Sequence, residues 1–383
     1  MQNKKYDLII IGSGSIGTPT AYFCAKNRLK TLVIEKNKAP GRGQNRAAIG
    51  GIRATHSDYA KAMLCLRSIE IFKNWFMNTG DDINWFEGGY FYPIYKEEDK
   101  VSVLSQLKFQ KSIGLNINFI SKEEALEIAP DLVKDGLLGA LYSPEDGSAS
   151  PLKSNYSFYK NALLSGAEFN FEEEALELIT KGDKVIGVKT SKDIYYSNFV
   201  ILSTGKDANN FKDILNVDIP IKPDCHEAGI TEPIARLFNP MIVDMRVYDD
   251  SKNIYFYQNK EGQIVFCLTP NPSIYGDGEL STSNFLLQFS KRLFDVYPIL
   301  GNLRIRRIWR GFYPNTPDGN PIIELLDNNV LLLAGMCGQG FMLGPSIGEL
   351  AYKIISNSTS SQDKKVISSL SLHRTFDNAE FFK

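Results

Sequence analysis

Short apolar runs lead into glycine-rich turns at both ends of the chain. Residues 8–11 and 330–334 are continuously apolar, as expected for parallel strands that are buried on both faces. Each run continues into several glycines and then into a predicted helix start. Backbone amides at the start of a helix, supported by the helix dipole, bind anionic or electron-rich groups. The two turns therefore predict a ligand that is large enough to be held from both ends.

Gly12, Gly14 and Gly17 give the first turn the spacing G-x-G-x-x-G. At the first position glycine permits a tight turn, and at the second it lets the backbone approach a pyrophosphate. At the third position it lets the helix and the strand pack closely. Together with Ser15 and Ile16, these glycines are predicted to contact a dinucleotide.

An acidic residue follows at the place that a dinucleotide-binding unit requires. A helix is predicted over about 14–27 and a strand over 31–34, and Glu35 stands at the end of this strand. A carboxylate there accepts hydrogen bonds from both hydroxyls of a ribose and repels a 2′-phosphate, so NADP is not expected. Lys36 is assigned to the same site. Strand, glycine turn, helix, strand and acid in this order predict a dinucleotide-binding βαβ unit.

The composition is ordinary for a globular protein and narrows the possible function classes. Of the 383 residues, 43% are hydrophobic and 23% are charged, and the formal net charge is −1. This balance offers no attraction for nucleic acid or an anionic membrane, and no apolar run approaches the ~18 residues of a membrane span. Five scattered cysteines without a Cys-x-x-Cys pair and only three histidines argue against a metal site. We expect a cytoplasmic protein with no metal, no membrane span and no nucleic-acid partner.

The pattern changes to short strands rich in aromatic residues in two regions of the chain. Residues 88–93, 254–257 and 264–268 are short β-rich segments, unlike the strand–helix alternation of the first region. They predict a second domain that interrupts the first.

Five motifs in a fixed order carry a resemblance to a known family. They are QNRAAIGGIR at 44–53, DGSASP at 146–151, FVILSTG at 199–205, HEAGITEP at 226–233 and WRGFYPNTPDGNPII at 309–323. With the two glycine turns they resemble the FAD-dependent D-amino-acid-oxidase-type (DAO) oxidoreductases. The branch that they resemble most holds the sarcosine oxidases, the β-subunits of L-proline dehydrogenases and the D-amino-acid dehydrogenases. The resemblance covers nearly the whole chain.

The resemblance implies an α/β fold with a Rossmann-like FAD-binding domain built from three segments. An inserted α+β substrate domain is expected to contain a mixed or antiparallel sheet. The implied boundaries are 1–84, 145–215 and 306–363 for the FAD-binding domain, 85–144 and 216–305 for the substrate domain, and 364–383 for a C-terminal tail.

The resemblance also implies that FAD is bound without a covalent link. Relatives that attach the flavin covalently use a cysteine at the place of Gly311 or a histidine at a place within 46–49, and neither residue is present here. Cys337, beside the second turn, is expected to be a small buried thiol. Beyond the first turn, Glu35 and Lys36, the implied cofactor-binding residues are Arg46, Ala47, Ala48, Gly50, Gly51, Ala175, Thr204, Gly205, Gly311, Gly335, Gly338, Gln339, Gly340, Phe341 and Met342.

Arg53 is the principal candidate for substrate binding. By resemblance to the sarcosine oxidase branch, this arginine faces the flavin and binds the substrate carboxylate, which a guanidinium matches with two parallel hydrogen bonds. Tyr255 and Gln339 are the other predicted catalytic residues. His226 and His56 are weaker candidates for acid–base catalysis.

The resemblance implies oxidation of a small amino or imino acid, which has a primary or secondary amine beside a carboxylate. Hydride transfer from Cα to flavin N5 would give an imine. Relatives that react with O₂ carry a lysine on the strand matching 264–268, where this chain has none. Because a cation beside the flavin stabilises developing superoxide, a dehydrogenase is favoured over an oxidase. Glycine-oxidase-type relatives carry arginines at the places of Tyr313 and Gly338, which leaves the substrate's identity open.

Other functions stay open on the sequence alone. One alternative is the same fold acting on a 2-hydroxy acid or glycerol 3-phosphate. The chain is also compatible with a flavin-bearing subunit of a heteromeric electron-transfer dehydrogenase, and with a flavoprotein that binds a ligand without turnover. The electron acceptor is not identified, and either a homo-oligomer or a heteromeric partner subunit is compatible with the sequence.

Overall fold

The computed structural model describes residues 5–276, 278, 280–377 and 379–382. Its strands are β1 (Lys5–Ile11), β2 (Thr31–Ile34), β3 (Gly51–Ile52), β4 (Tyr90–Ile94), β5 (Asn118–Ile120), β6 (Gly139–Ser143), β7 (Gly147–Ser148), β8 (Glu168–Asn170), β9 (Ala175–Lys181), β10 (Lys184–Thr190), β11 (Ile194–Leu202), β12 (Lys222–Pro233), β13 (Met241–Asp244), β14 (Ser251–Gln258), β15 (Gln263–Pro270), β16 (Ile305–Asn315), β17 (Ile322–Leu325) and β18 (Val330–Ala334). Its α-helices are α1 (Gly17–Lys26), α2 (Tyr59–Lys73), α3 (Trp75–Thr79), α4 (Glu97–Ser112), α5 (Lys122–Ile128), α6 (Pro151–Leu164), α7 (Lys212–Leu215), α8 (Phe285–Phe294), α9 (Gly340–Ile355) and α10 (Ser361–Ser369).

The first sheet has a parallel centre in the order β8–β2–β1–β11–β18. Strand β17 pairs antiparallel with β18 at the edge, and β9 and β10 form an antiparallel ribbon on β11. The central strand β1 is apolar and fully buried at Leu8, Ile9 and Ile10, because neighbours cover it on both sides. The carboxyl ends of the parallel strands therefore meet along one edge, where ligands bind in open α/β sheets.

The two helices that follow the glycine turns cross each other closely. Helix α1 follows β1, and α9 follows β18. A Cβ atom built on Gly344 would lie 1.9 Å from the carbonyl oxygen of Ser15, and one on Gly348 would lie 2.7 Å from the backbone of Pro19. Only glycine allows this approach, because any side chain would occupy the space of the other helix. The two turns, far apart in sequence, are thus neighbours in the fold.

The second sheet has the order β16–β12–β15–β14–β13–β4–β6–β5. Its pairs are antiparallel except for the parallel pair β13–β4, so the sheet is mixed. Helix α8 packs Phe285 and Phe289 onto Phe266 of this sheet, with ring centroids 5.9 and 4.0 Å away. The predicted fold class, an α/β nucleotide-binding domain with an inserted domain around a mixed or antiparallel sheet, is confirmed.

Strand β16 joins the two parts of the molecule and spans the predicted domain boundary between residues 305 and 306. It pairs with β12 along its length, from Ile305 paired with Thr231 to Asn315 paired with Lys222. The predicted start of the third FAD-binding segment, residue 306, therefore lies within a strand of the second sheet. Strands β3 and β7 form a separate small antiparallel pair. Among the described residues, no helix has both the length and the apolar character to cross a bilayer.

Candidate cofactor and substrate site

A cavity of about 1480 Å³ lies where the carboxyl edge of the first sheet faces the second sheet. It takes residues from both glycine turns and from β12, β14, β15 and β16. Most of the residues predicted for the site line it. They are Gly12, Gly14, Ser15, Ile16, Glu35, Lys36, Arg46, Ala47, Ala48, Gly50, Gly51, Arg53, Ala175, Thr204, Gly205, Tyr255, Gly311, Gly338, Gln339, Gly340, Phe341 and Met342.

Two predicted cofactor-binding residues, Gly17 and Gly335, do not line the cavity. A Cβ on Gly17 would lie 1.9 Å from the carbonyl oxygen of Gly12, so this glycine serves the close packing of α1 on β1. Gly335 has φ +65°, and a Cβ there would lie 2.4 Å from the Thr316 methyl group. The protein's own packing therefore explains why both positions are glycine, whether or not they contact the cofactor.

The opening turn leaves space for a ligand at Gly14. Gly12 adopts φ +100°, and a Cβ there would lie 2.6 Å from the carbonyl oxygen of Ser203, so the tight turn needs glycine. A Cβ on Gly14 would meet nothing within 4 Å. No side chain caps the start of α1, and its first turn holds no acidic residue. The helix start is therefore ready to receive an anionic group.

The closing turn presents a second helix start to the same cavity. Helix α9 has no side-chain cap and no acidic residue in its first turn. Gly338 has φ +75°, and a Cβ there would lie 2.2 Å from the Tyr313 ring. The side-chain oxygen of Gln339 is buried and accepts no hydrogen bond from any described residue. An unpartnered buried oxygen on the cavity wall is a place where a ligand donor fits.

Glu35 is 7% exposed and already accepts four hydrogen bonds from the chain. One carboxylate oxygen accepts from the amide and the hydroxyl of Ser13, at 2.9 and 2.7 Å. The other accepts from the amide and the side-chain nitrogen of Asn37, at 2.8 and 2.6 Å. Ribose hydroxyls would replace the two side-chain donors and leave the two amide bonds in place. The neighbouring Lys36 turns to Asp207 at 2.8 Å.

These features fit an FAD molecule. The cavity has two uncapped helix starts for anionic or electron-rich groups, an open approach at Gly14 and an acid at the end of β2. The two places where relatives attach the flavin hold Gly311 and the histidine-free run 46–49, and a Cβ on Gly311 would lie 2.7 Å from the Ala47 methyl carbon. Cys337 is buried and directs its thiol to the carbonyl oxygen of Gly335 at 3.0 Å, and burial raises its pKa, so the thiol stays protonated.

Arg53 follows β3, lines the cavity and is 7% exposed. Its NH1 group donates to the carbonyl oxygen of Thr55 and lies 3.3 Å from Nδ1 of His56, while NH2 donates to the carbonyl oxygen of Phe382. Within the described part of the chain, these bonds use three of the five guanidinium N–H groups. The Nε–H and one N–H of NH2 form the edge that matches a carboxylate with two parallel bonds.

Asp146 fixes the turn that carries this arginine. The amide of Ala54 donates to one of its carboxylate oxygens at 2.9 Å, and the hydroxyl of Thr55 donates to the other at 3.0 Å. The motifs at 44–53 and 146–151 are therefore one structural unit, joined through the β3–β7 pair. This contact explains why both motifs occur together.

The second sheet contributes a group of aromatic side chains to the cavity wall. The hydroxyls of Tyr255 on β14 and Tyr313 on β16 are 2.6 Å apart. His226 stacks on the Tyr313 ring with centroids 3.8 Å apart, and its Nδ1 lies 3.4 Å from the Thr269 hydroxyl. Burial raises the pKa of both tyrosines well above the ordinary value, so they are neutral hydrogen-bonding groups. His226 holds Tyr313 in place and lines the cavity itself.

Four residues of this site are not among those predicted from the sequence. Ser13 and Asn37 donate hydrogen bonds to the Glu35 carboxylate. Phe381 and Phe382, at the end of the chain, line the cavity beside Arg53. The first two lie within three residues of a predicted site residue and could have been proposed from their position. No local signal identifies the other two, because Phe382 lies 329 residues after Arg53 in the chain.

Relatives of known activity align with almost the whole chain. Glycine oxidase from Bacillus subtilis (strain 168) is 26% identical over 374 residues, which are 94% of this chain and 95% of that protein. Sarcosine oxidase subunit beta from Arthrobacter sp is 23% identical over 362 residues, 92% of this chain and 88% of that protein. The crystal structure of L-proline dehydrogenase from P. horikoshii matches with a TM-score of 0.89 and 29% identity, covering 97% of this chain and 98% of that one.

The model of the family described as FAD dependent oxidoreductase (DAO) matches residues 7–354. This span includes both glycine turns, the Arg53 motif and the second sheet. The chain belongs to the DAO family of FAD-dependent oxidoreductases.

Proposed function

We propose that this chain oxidises a small amino or imino acid at its Cα–N bond, with Arg53 binding the substrate carboxylate. The observation that carries the proposal is the place of Arg53: it lines the same cavity as both glycine turns, and its hydrogen bonds leave the Nε–H and one N–H of NH2 without an acceptor among the described residues. Relatives named for glycine, sarcosine and proline support the same substrate class.

Different residues of the chain would hold different parts of the cofactor. The start of α1 around Gly14 would bind the pyrophosphate, Glu35 the ribose hydroxyls, and the start of α9 around Gln339 the flavin end. When bound, FAD supplies a two-electron acceptor, N5 of its ring, for the hydride of Cα.

Arg53 would determine the orientation of the substrate. Two charge-assisted hydrogen bonds, each worth about 1.5–3 kcal/mol, supply most of the roughly 4 kcal/mol that a millimolar ligand needs. The guanidinium is held on its other edge by Thr55 and Phe382, so little side-chain freedom is lost on binding. A carboxylate held at this edge fixes where Cα and the amine lie.

Tyr255 and Tyr313 would receive the amine. Two neutral phenols, 2.6 Å apart, can accept a hydrogen bond from an amine N–H while one donates to the other. Because both phenols are neutral, the pair supplies no negative charge to stabilise an ammonium, and the amine would react in its neutral form, whose lone pair supports departure of the hydride and gives an iminium ion. The iminium then loses a proton or is hydrolysed by water, so the chain needs no strong base.

We propose a dehydrogenase rather than an oxidase. On β15 the residues that line the cavity are Cys267 and Thr269, at the place where O₂-reactive relatives of the sarcosine type carry a lysine. Without a cation there, the site lacks a group to stabilise developing superoxide. An electron carrier or artificial dye is then the better acceptor.

A second candidate role is that of the flavin subunit in a heteromeric dehydrogenase. One relative is named as a beta subunit. Helix α6 also exposes a stripe of apolar side chains, with Leu152, Tyr156 and Leu164 at 61%, 60% and 77% exposure. Exposed apolar patches mark interaction surfaces. Copurification of a second chain, with activity that depends on it, would favour this role over an independent enzyme.

The proposal is tested by mixing the FAD-loaded protein, without oxygen, with single candidate substrates. The panel is glycine, sarcosine, D- and L-proline, lactate and glycerol 3-phosphate. We expect an amino or imino acid to bleach the visible flavin absorbance, followed by faster reoxidation with a dye than with air. Bleaching by lactate or glycerol 3-phosphate alone would refute the proposed substrate class, and rapid reoxidation by air would refute the dehydrogenase assignment.

A further inference from the structure

The segment 379–382, called the end segment below, folds back against the arginine that faces the cavity. The carbonyl oxygen of Phe382 accepts a hydrogen bond from NH2 of Arg53. The amide of Phe381 donates to the Ser57 hydroxyl at 2.8 Å, and the amide of Glu380 donates to the carbonyl oxygen of Asp318 at 3.0 Å. The backbone of the end segment is thus hydrogen-bonded to Asp318, Ser57 and Arg53, of which Arg53 lines the cavity.

Glu380 anchors the end segment through a carboxylate that is almost fully buried. One carboxylate oxygen accepts from the amide and hydroxyl of Ser57 at 2.9 and 3.0 Å, and the other accepts from the amide of Asp58 at 3.3 Å. The ammonium of Lys61, itself without solvent exposure, lies 3.6 Å away. Burial opposes ionisation of Glu380, but His56, whose Nδ1 lies 3.8 Å from the carboxylate, together with Lys61 and the Ser57 amide, lowers its pKa. A buried charge with this many partners is a strong attachment.

The two phenylalanines of the end segment form part of the cavity wall. Phe382 is 2% exposed, and its ring lies 5.7 Å from the Tyr92 ring, centroid to centroid. Phe381 packs edge-on against Phe382 at 4.8 Å. Both line the cavity together with Arg53 and Tyr92. A substrate whose carboxylate binds Arg53 would meet these rings with its side chain.

We infer that the end segment is a specificity-determining wall of the substrate pocket. Glu380 holds the segment in place, the Phe382 carbonyl orients the Arg53 guanidinium, and the two rings restrict the substrate to small side chains. The inference rests on the proposed function, since it assigns the substrate carboxylate to Arg53. Glu380 is a positioning residue, because it acts through the segment and through Arg53.

Two substitutions test this role, each with a matched control. Phe382→Ala removes the ring and keeps the backbone carbonyl, and the exposed Phe76→Ala outside the cavity is its control. Glu380→Gln weakens the anchor, and the exposed Glu127→Gln is its control. Each FAD-loaded variant is assayed with glycine, proline, leucine and phenylalanine, and acetate binding is followed by perturbation of the flavin spectrum.

The two substitutions are expected to act differently. For Phe382→Ala we expect the ratio of kcat/KM for phenylalanine to that for glycine to rise by about tenfold or more, since a pocket discriminates side-chain size by roughly this factor. For Glu380→Gln we expect KM for the preferred substrate and Kd for acetate to rise about tenfold, with kcat changed much less. A merely structural role would lower flavin content or kcat for all substrates alike.

The outcomes separate the inference from the proposed function. An unchanged substrate ranking in Phe382→Ala, or unchanged acetate binding in Glu380→Gln, would overturn the role of the end segment while leaving the proposed function intact. Wild-type protein that oxidises no amino acid would overturn the proposed function. In that case, acetate binding that weakens in Glu380→Gln and not in Glu127→Gln would still support a carboxylate site controlled by the end segment.

Discussion

The carbonyl oxygen of Ser15 lies where a side chain on Gly344 would begin. A Cβ atom at Gly344 would stand 1.9 Å from that oxygen, far inside van der Waals contact. Ser15 belongs to the opening turn and Gly344 to the helix that follows the closing turn. This contact brings together two helix starts from opposite ends of the chain, which is the arrangement that one ligand held at both turns requires.

Gly344→Ala should therefore separate the two helices and weaken both the fold and the cofactor site. We expect the free energy of unfolding to fall by about 1–3 kcal/mol, the usual cost of overpacking, and FAD affinity to fall with it. Chemical denaturation of the apoprotein and titration with FAD measure the two effects. Gly43→Ala is the control for stability, because a Cβ there meets nothing within 4 Å. Equal stability of the two variants would contradict the proposed packing.

Gly14→Ala should affect the cofactor and spare the fold. A Cβ at this position meets no protein atom within 4 Å, yet it projects into the space assigned to the pyrophosphate. We expect the Kd for FAD to rise about tenfold or more, equivalent to about 1.4 kcal/mol, with the stability of the apoprotein unchanged. Wild-type FAD affinity in this variant would show that the pyrophosphate lies elsewhere.

The parts of the site that could be predicted are those whose residues lie close together in the sequence. The order of β1, glycine turn, α1, β2 and Glu35 is local, and the strand periods and glycine spacing predict it directly. The predicted strands at 31–34 and 330–334 agree with β2 and β18. The role of Arg53 came from family resemblance, because spacing alone does not distinguish an arginine in a pocket from one on the surface.

Long-range contacts explain what the sequence did not predict. The position of β16 depends on its pairing with β12, about 80 residues earlier in the chain. The predicted domain boundary at 306 therefore falls inside a strand of the second sheet. Gly17 and Gly335 have the spacing of cofactor contacts, but their close neighbours are protein atoms. The attachment of Glu380 beside Arg53 joins the two ends of the chain, and no local pattern encodes it.

Arg53→Met should impair substrate binding while FAD stays bound. Loss of two charge-assisted hydrogen bonds, together about 3–6 kcal/mol, predicts a rise in KM of roughly 100-fold or more. The exposed Arg306→Met is the matched control. Steady-state kinetics and flavin content per chain measure the effects, and a KM equal to that of the control would exclude the carboxylate role.

His56 should make the protein less stable as the pH falls from about 7 to 5. Burial, and then the Arg53 charge, lower its pKa from 6.5 to about 3, so the folded protein keeps His56 neutral where the unfolded chain binds a proton. Lowering the pH through 6.5 therefore favours unfolding, by up to about 1.4 kcal/mol per pH unit. Glu380, whose pKa is also lowered, contributes to acid unfolding as the pH falls through and below the ordinary carboxylate value of 4.5, so most of its effect lies below pH 5. Lys61 and Cys65 face the same cluster, and burial raises the pKa of the Cys65 thiol to about 12, so this thiol stays protonated throughout the window.

Denaturation of wild-type protein and His56→Asn at pH 7 and pH 5 measures this contribution. We expect a smaller loss of stability in His56→Asn than in wild type, and no such difference in the exposed His373→Asn. A slope in His56→Asn equal to that of wild type would show that His56 is protonated in the folded protein.

Titration of the apoprotein with FAD, FMN and ADP tests the central claim most directly, since FMN carries the flavin half of the ligand without the adenosine, and ADP carries the adenine half and both phosphates without the riboflavin. If one molecule is held at both turns, FAD should bind with one site per chain and about 100-fold more tightly than either half. FMN or ADP binding as tightly as FAD would contradict this account, because a single turn would then be sufficient.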